Sequence, residues 1–232
     1  MALKNFTEVE NHKTVQELFC SAEFVRGVES ELLLLSALNI FLSITAFLGN
    51  TLILVALHKE NSLYPPSKLL YSNLAITDLC VGITSEPLVV TYWISVVKER
   101  WDICYYTIRG QHFSATVLCS VSLLTLTAIS LDRLLALFLG LRYRPVVTLK
   151  KTRLTAVYSA LWVQVTLVLC YLPHGIVFIL AVQRGISLSV HLALRWTLTL
   201  VYLNSSLNPL LYCWKIREVR QAVKGILRQV FC

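Results

Sequence analysis

Five stretches of this chain, roughly residues 32–57, 69–97, 110–137, 154–182 and 187–214, are long and apolar enough to cross a bilayer, and together they take up most of it. Crossing a hydrocarbon core of roughly 30 Å takes about 20 mostly apolar residues in a helix. In lipid there is no water to satisfy a backbone N–H or C=O, so a span must pair these groups within itself. With 56% apolar residues, a soluble domain of this length would lack the polar surface to stay dissolved. The fold class that follows is an all-α membrane protein, a transmembrane helical bundle of five spans. Outside the bundle (32–214) lie a polar tail (1–31), short loops and a basic C-terminal segment (215–232). None of these is a soluble catalytic domain.

Charge sets the expected orientation. Lys4, Glu8, Glu10, Lys13, Glu17, Glu23 and Arg26 interrupt every apolar window of the tail, so no cleaved signal peptide is expected and the first span should insert itself. Lys59 and Lys68 follow the first span, and Arg133, Arg142, Arg144, Lys150, Lys151 and Arg153 follow the third. Lys215, Arg217, Arg220, Lys224 and Arg228 follow the last. These sides read as cytoplasmic, which places the acid-rich tail and the mixed loop around Lys98, Glu99, Arg100 and Asp102 outside. The net charge of +8 is thereby a topology signal; it has no aromatic platform among its basic residues, and no nucleic-acid partner is expected. In the outer tail Asn5-Phe6-Thr7 is an acceptor sequon, making Asn5 the candidate glycosylation site.

Polar residues inside spans are costly and mark function by default. The span acids are Asp78 and Glu86 in the second and Asp132 at the inner end of the third. Asn50, Asn204, Ser205 and Asn208 can meet Asp78 at one depth of a packed bundle, each satisfying another's hydrogen bonds. Glu86, His112, His191, Arg195 and Trp196 lie in outer halves, either facing a pocket or anchoring at headgroup level. Of the seven cysteines, Cys80, Cys119, Cys170 and Cys213 fall in spans and read as small packing residues. Cys20 and Cys104 are on the outer side, where a disulfide is permitted. Cys232 ends a basic tail in which Ile216, Val219, Val223, Ile226 and Leu227 recur at helical spacing. That is the pattern of a helix lying on the membrane, and Cys232 is a candidate palmitoylation site.

The motifs then become specific. Gly49-Asn50 stands in the first span, Leu74-Ala75 with Asp78 in the second, and Leu131-Asp132-Arg133-Leu134 closes the third. Leu141-Arg142-Tyr143-Arg144 with Thr148, Trp162, and Asn208-Pro209-Leu210-Leu211-Tyr212 follow in order. Taken together they resemble the rhodopsin-like (class A) G-protein-coupled receptor family over nearly the whole chain. The resemblance implies a plasma-membrane receptor, not an enzyme, that binds an extracellular ligand and couples to a heterotrimeric G protein in its complete form. It implies that Asp132, Arg133, Asn208, Pro209 and Tyr212 form the activation switch. Asp78 with Ser122, Asn204, Ser205 and Asn208 would hold an allosteric sodium ion, through the oxygen ligands a hard cation prefers. The other reading of Asp78 is a carboxyl hydrogen-bonded to Asn50 and Asn208. The tail after Tyr212 resembles the family's short eighth helix.

The chain also departs from the family. Five spans are not seven. The fourth begins like the family's fourth helix but ends Cys170-Tyr171-Leu172-Pro173, which resembles the outer half of its sixth. That implies an internal deletion of half of helix four, helix five and half of helix six; the alternative is a plain fourth helix with a chance proline. Loss of those walls is expected to leave a groove open to lipid, with Tyr158, Gln164 and Thr166 on an exposed face. Three functions follow: a receptor; a signalling-incompetent short form or partial product that associates with full-length receptors, or stays in the endoplasmic reticulum if misassembled; and, in another class, a small transporter or channel. The second extracellular loop, which carries the usual partner of the helix-three cysteine, is missing. A Cys20–Cys104 bridge is one expectation. Leu134, Gly140 and Ala115 replace the family's usual aromatic, its proline and the amine-binding aspartate.

Overall fold

A computed structural model describes residues 19–22, 25, 27–59, 65–139, 146–215 and 217–231. Side chains are described at these positions except 66, 133–134, 136–139, 146–163, 214–215, 217–218 and 230–231. Asn5, Cys232 and the side chains of Arg133, Tyr158 and Trp162 therefore lie outside the described set.

The helices run in chain order as α1 (Glu29–Lys59), α2 (Pro65–Cys80), a π-helical turn (Val81–Ser85), α3 (Glu86–Val97), α4 (Trp101–Leu139), α5 (Val146–Arg184), α6 (Leu188–Lys215) and α7 (Arg217–Phe231). Four segments among the described residues are long and apolar enough to cross a membrane: Glu29–Lys59, Ser67–Val97, Trp101–Asp132 and Gln164–Arg184. At 28 residues α6 has the length of a span, and its polar residues explain why composition alone passes it over. Thr199, Asn204, Ser205, Ser206 and Asn208 are all buried against other helices.

The helices are inside-out relative to those of a water-soluble protein. On α1 the buried face carries Ser36, Asn39 and Asn50 among Leu32, Leu35, Leu42, Ala46 and Ile53, while Leu34, Phe41, Ile44 and Leu48 are exposed. Lipid is as apolar as leucine, so burying Leu gains little there, and the polar side chains are the ones with reason to turn inward. They pair across helices. Asn39 Nδ2 donates to Thr199 Oγ1 (3.0 Å), Thr45 Oγ1 to Ser206 Oγ (3.0 Å), Ser85 Oγ to Ser114 Oγ (3.0 Å) and Gln111 Nε2 to the Tyr202 hydroxyl (3.3 Å).

These contacts close a ring. The α2–α3 span packs on α1 and α4, α5 packs on α4 and α6, and α6 returns to α1. The expected open groove is narrowed but not removed, since Phe178 and Val182, which line the cavity, are 57% and 71% exposed. Within the described residues, the single long helix α5 occupies the gap between α4 and α6 and walls the cavity with Tyr171, His174, Phe178, Ala181 and Val182.

The third span, expected over roughly 110–137, lies within a longer helix: α4 starts at Trp101 and runs 39 residues. At about 1.5 Å per residue it is roughly 58 Å long, far more than the hydrocarbon core, so its charged first turns stand in the headgroup layer or in water. The connection shrinks to Lys98–Arg100. Arg100 N–H reaches Ser95 O (2.8 Å) and Glu99 N–H reaches Val96 O (3.1 Å), with Glu99 at φ +53°. That is a Schellman termination, here with glutamate at the left-handed position that glycine usually takes.

On the inner side α7 packs Val219 and Val223 against the ends of α1 and α6 and exposes Arg220, Lys224 and Arg228. Lys59 Nζ donates to Gln229 Oε1 (3.2 Å), tying the end of α1 to it.

Candidate functional site

Two features share the interior, a polar cluster at mid-depth and a cavity above it. The cluster centres on Asp78, in the last turn of α2 and fully buried. Ser122 Oγ from α4 and Ser205 Oγ from α6 each donate to its Oδ1 at 3.0 Å, and Asn208 Nδ2 from α6 donates to Oδ2 at 2.6 Å. Three helices thus converge on one carboxyl. Ser122 also reaches Thr77 Oγ1 (3.1 Å), a neighbour that no sequence signal singled out. With two hydroxyls on a single carboxylate oxygen, the donor set suits a hard cation.

Two of the expected partners sit elsewhere. Asn50 does not bond Asp78; its Nδ2 donates to the carbonyls of Ala46 (2.8 Å) and Ser205 (3.1 Å), which fixes the backbone carrying the Ser205 hydroxyl. Asn204 is buried beside the cluster, but its Nδ2 finds no acceptor among the described residues. One helical step separates the side chains of Asn204 and Ser205 by about 100°, so both cannot point at the same carboxyl in the same way.

Just beyond Asp78 the helix loosens into the π turn, where the Glu86 N–H bonds to Val81 O. Such a turn leaves carbonyls without their usual i+4 donor. Ser43 Oγ of α1 supplies one for Gly82 O (2.7 Å). A Cβ on Gly82 would lie 3.0 Å from Ala46 Cβ and 3.2 Å from α1 backbone, so glycine is what lets the two helices approach. A Cβ on Gly49 would likewise come within 2.9 Å of Pro209 Cγ, which joins the Gly49-Asn50 and Asn208-Pro209 motifs in one contact.

Toward the inner face, Tyr212 is buried edge-on against Tyr71, with ring centroids 5.2 Å apart at 62°. Its hydroxyl has no partner among the described residues. Asp132 Oδ2 accepts from Ser67 Oγ of α2 (3.0 Å).

Above the cluster is a cavity of about 840 Å³, reaching from Phe19 at the outer end to Leu123, the residue after Ser122. Of the five outer polar candidates, His112, His191 and Arg195 line it. Glu86 does not: it is fully buried away from the lining, and neither carboxyl oxygen has a hydrogen-bond partner among the described residues. Trp196 is 39% exposed on the outside of α6, an anchor position. Cys20 and Cys104 form a disulfide (Cα–Cα 6.0 Å) that pins the outer tail to the top of α4 and holds Phe19 over the cavity.

The family model for the 7 transmembrane receptor (rhodopsin family) matches residues 49–167, just over half of the chain and most of the helices that converge on Asp78. The chain belongs to this family. Its relatives include the human (Homo sapiens) adenosine receptor A2b, 28% identical over 136 residues, covering 59% of this chain and 39% of that protein. The muscarinic acetylcholine receptor gar-3 of Caenorhabditis elegans is 26% identical over 131 residues, 56% of this chain and 21% of that protein. The 5-hydroxytryptamine receptor 1E of Pan troglodytes is 28% identical over 129 residues, 56% and 34% respectively. The chain thus spans well under half the length of these curated relatives. Membership makes it an integral plasma-membrane protein of a receptor family, not an enzyme. The match ends at residue 167, inside α5 and between Trp162 and Cys170, the two residues that bracket the supposed deletion.

Proposed function

We propose that this chain is the ligand-binding body of a rhodopsin-family receptor, with an extracellular ligand seated in the outer cavity and coupling to a heterotrimeric G protein in the complete form. The observation that carries this reading is the convergence of Ser122, Ser205 and Asn208 on Asp78 directly beneath the cavity, because it joins a ligand chamber to the helices that end in the inner motifs. Asp78, Ser122 and Ser205, with Asn204 and Asn208 beside them, would hold a sodium ion. A bound cation would tie α2, α4 and α6 together, and a ligand entering above would act on the same three helices.

The inner switch comprises Asp132, Arg133, Asn208, Pro209 and Tyr212. Pro209 cannot donate a backbone hydrogen bond, so α6 can bend there and move Tyr212. The tail carrying Asn5 lies outside and the C-terminus inside, so a C-terminal tag should be reached by antibody only after permeabilisation.

The test compares sodium with choline chloride at equal ionic strength on the purified chain. Sodium should raise the thermal midpoint of the unaltered chain and leave Asp78→Asn unmoved, and reconstituted liposomes should show no sodium flux. Flux would favour the transporter reading; sodium-insensitive stability would reduce the cluster to a structural one. Without the inner half of helix six, the chain alone is not expected to stimulate nucleotide exchange on a G protein in nanodiscs. Ligand-dependent exchange by the chain alone would show that the missing elements are dispensable.

A further inference from the structure

The ligand class can be read from the cavity itself. We infer that the cavity takes an organic anion, one carboxylate on an apolar body, with Arg195 as its counter-ion; this rests on the receptor reading above.

Arg195 is the only Asp, Glu, Lys or Arg side chain lining the cavity among the described residues. It is only 4% exposed. Its Nη2 donates to the Tyr92 hydroxyl (3.2 Å), and its guanidinium lies 5.5 Å from the centre of the Tyr92 ring. These contacts orient the group without neutralising it. Nε and Nη1 have no acceptor among the described residues. A guanidinium taken out of water with two of its three nitrogens unanswered is costly, and an anion placed against it recovers that cost. A planar multi-donor head answers a carboxylate better than it answers a neutral carbonyl.

The rest of the lining agrees. Neither Asp78, at mid-depth, nor Glu86, in the outer half, borders the cavity. The histidines that do, His112, His174 and His191, carry no negative charge, so an amine would meet the Arg195 guanidinium with no lining carboxylate to answer it. His174 already shares a hydrogen bond with Thr197 (3.1 Å). Deeper than Arg195 the lining is mostly apolar, with Leu198, Val201, Ala115 and Leu123 beside Thr116 and Ser120. From Arg195 to Val201 is about 9 Å along α6 at 1.5 Å per residue, which suits an anionic head near the outer end with an apolar body pointing inward. The cavity volume falls in the range of small-molecule sites.

The experiment uses the full chain in neutral phosphatidylcholine nanodiscs and two matched series. One is 4-phenylbutyrate, its amide and 4-phenylbutylamine, all delivered from water; the other is dodecanoate, its amide and dodecylamine, which partition into the bilayer. In at least one series the acid should bind about 10- to 100-fold more tightly than its amide and its amine, the difference made by a charge-assisted bond. The series that shows the preference tells whether the ligand arrives from water or from lipid. Arg195→Gln should abolish the preference and Arg195→Lys should restore part of it. Should Arg195→Gln not fold, Tyr92→Phe, which removes only the orienting hydroxyl, should reduce the acid preference about threefold.

Equal or tighter binding of the amine or amide would overturn the anion assignment and leave the receptor reading intact. Acid preference retained in Arg195→Gln, or unchanged in Tyr92→Phe, would also overturn it, as would no binding of either acid up to about 1 mM. Acid-selective binding with sodium-insensitive stability would uphold the ligand class while the sodium-linked switch fails.

Discussion

The second span and the outer half of α5 are both apolar helices of one bundle, yet they stand in opposite relations to it. Over Ser67–Val97 the most apolar window is 56% buried; over Gln164–Arg184 it is 11% buried. The second span packs on α1, α4 and α6, carries Asp78 and Glu86 inside, and breaks its helix at the π turn to fit against α1. Toward lipid α5 turns Leu169, Leu172, Ile176 and Ile179, and it touches the rest along the seams to α4 and α6. Gln164–Arg184 is the more apolar of the two. In a membrane the more apolar helix is the more peripheral one, because polarity is what the interior gathers.

That contrast can be broken most directly with glycine. Replacing Gly82 by Leu drives a side chain into Ala46 and the backbone of α1, whereas a Cβ on Gly175 of α5 meets nothing within 4 Å. Gly82→Leu is expected to cost about 3 kcal/mol or more and to abolish a monodisperse peak on size exclusion. Gly175→Leu should stay within about 0.5 kcal/mol. Equal tolerance at the two positions would mean that the second span is not packed as described.

The outer anchor tests whether the second-span side is held from above as well as from within. The Cys20–Cys104 disulfide closes a separation of 84 residues, and Cys20 sits in the same apolar cluster as Trp93 and Val96. Cys20→Ser should lower stability by about 2 kcal/mol, the low end for such a loop, since inserted helices already restrict the unfolded chain. The same loss should appear on mild reduction of the unaltered protein and be absent in the variant.

A smaller effect sharpens the packing of the motifs. Gly49→Ala places a methyl against the Pro209 ring at 2.9 Å, and about 1 kcal/mol is expected from thermal unfolding, as the ring can yield only slightly. Smallest of all is Lys59→Ala, which removes an exposed hydrogen bond to Gln229 and should change stability by less than about 0.5 kcal/mol. A large effect there would show that α7 is bound more tightly to the bundle than its exposed surface suggests.

Much of this protein was legible from residue order alone. Membrane helices follow from apolar length, since lipid leaves the backbone no other way to be satisfied. That Ser205 and Asn208 gather at Asp78 follows from the cost of leaving such groups apart in hydrocarbon, whereas Ser122 was reached only through the family resemblance. Three things were decided only in three dimensions. Which outer polar residues face the cavity depends on helix rotation: Arg195 and its next neighbour Trp196 sit about 100° apart on α6, so one points in and the other out. The π turn is invisible in composition; it exists because Gly82 lets α1 come close and Ser43 answers a freed carbonyl. And α5, by its apolar composition a helix for lipid, became a wall of the cavity because a ring of five can close only if one helix contacts both α4 and α6.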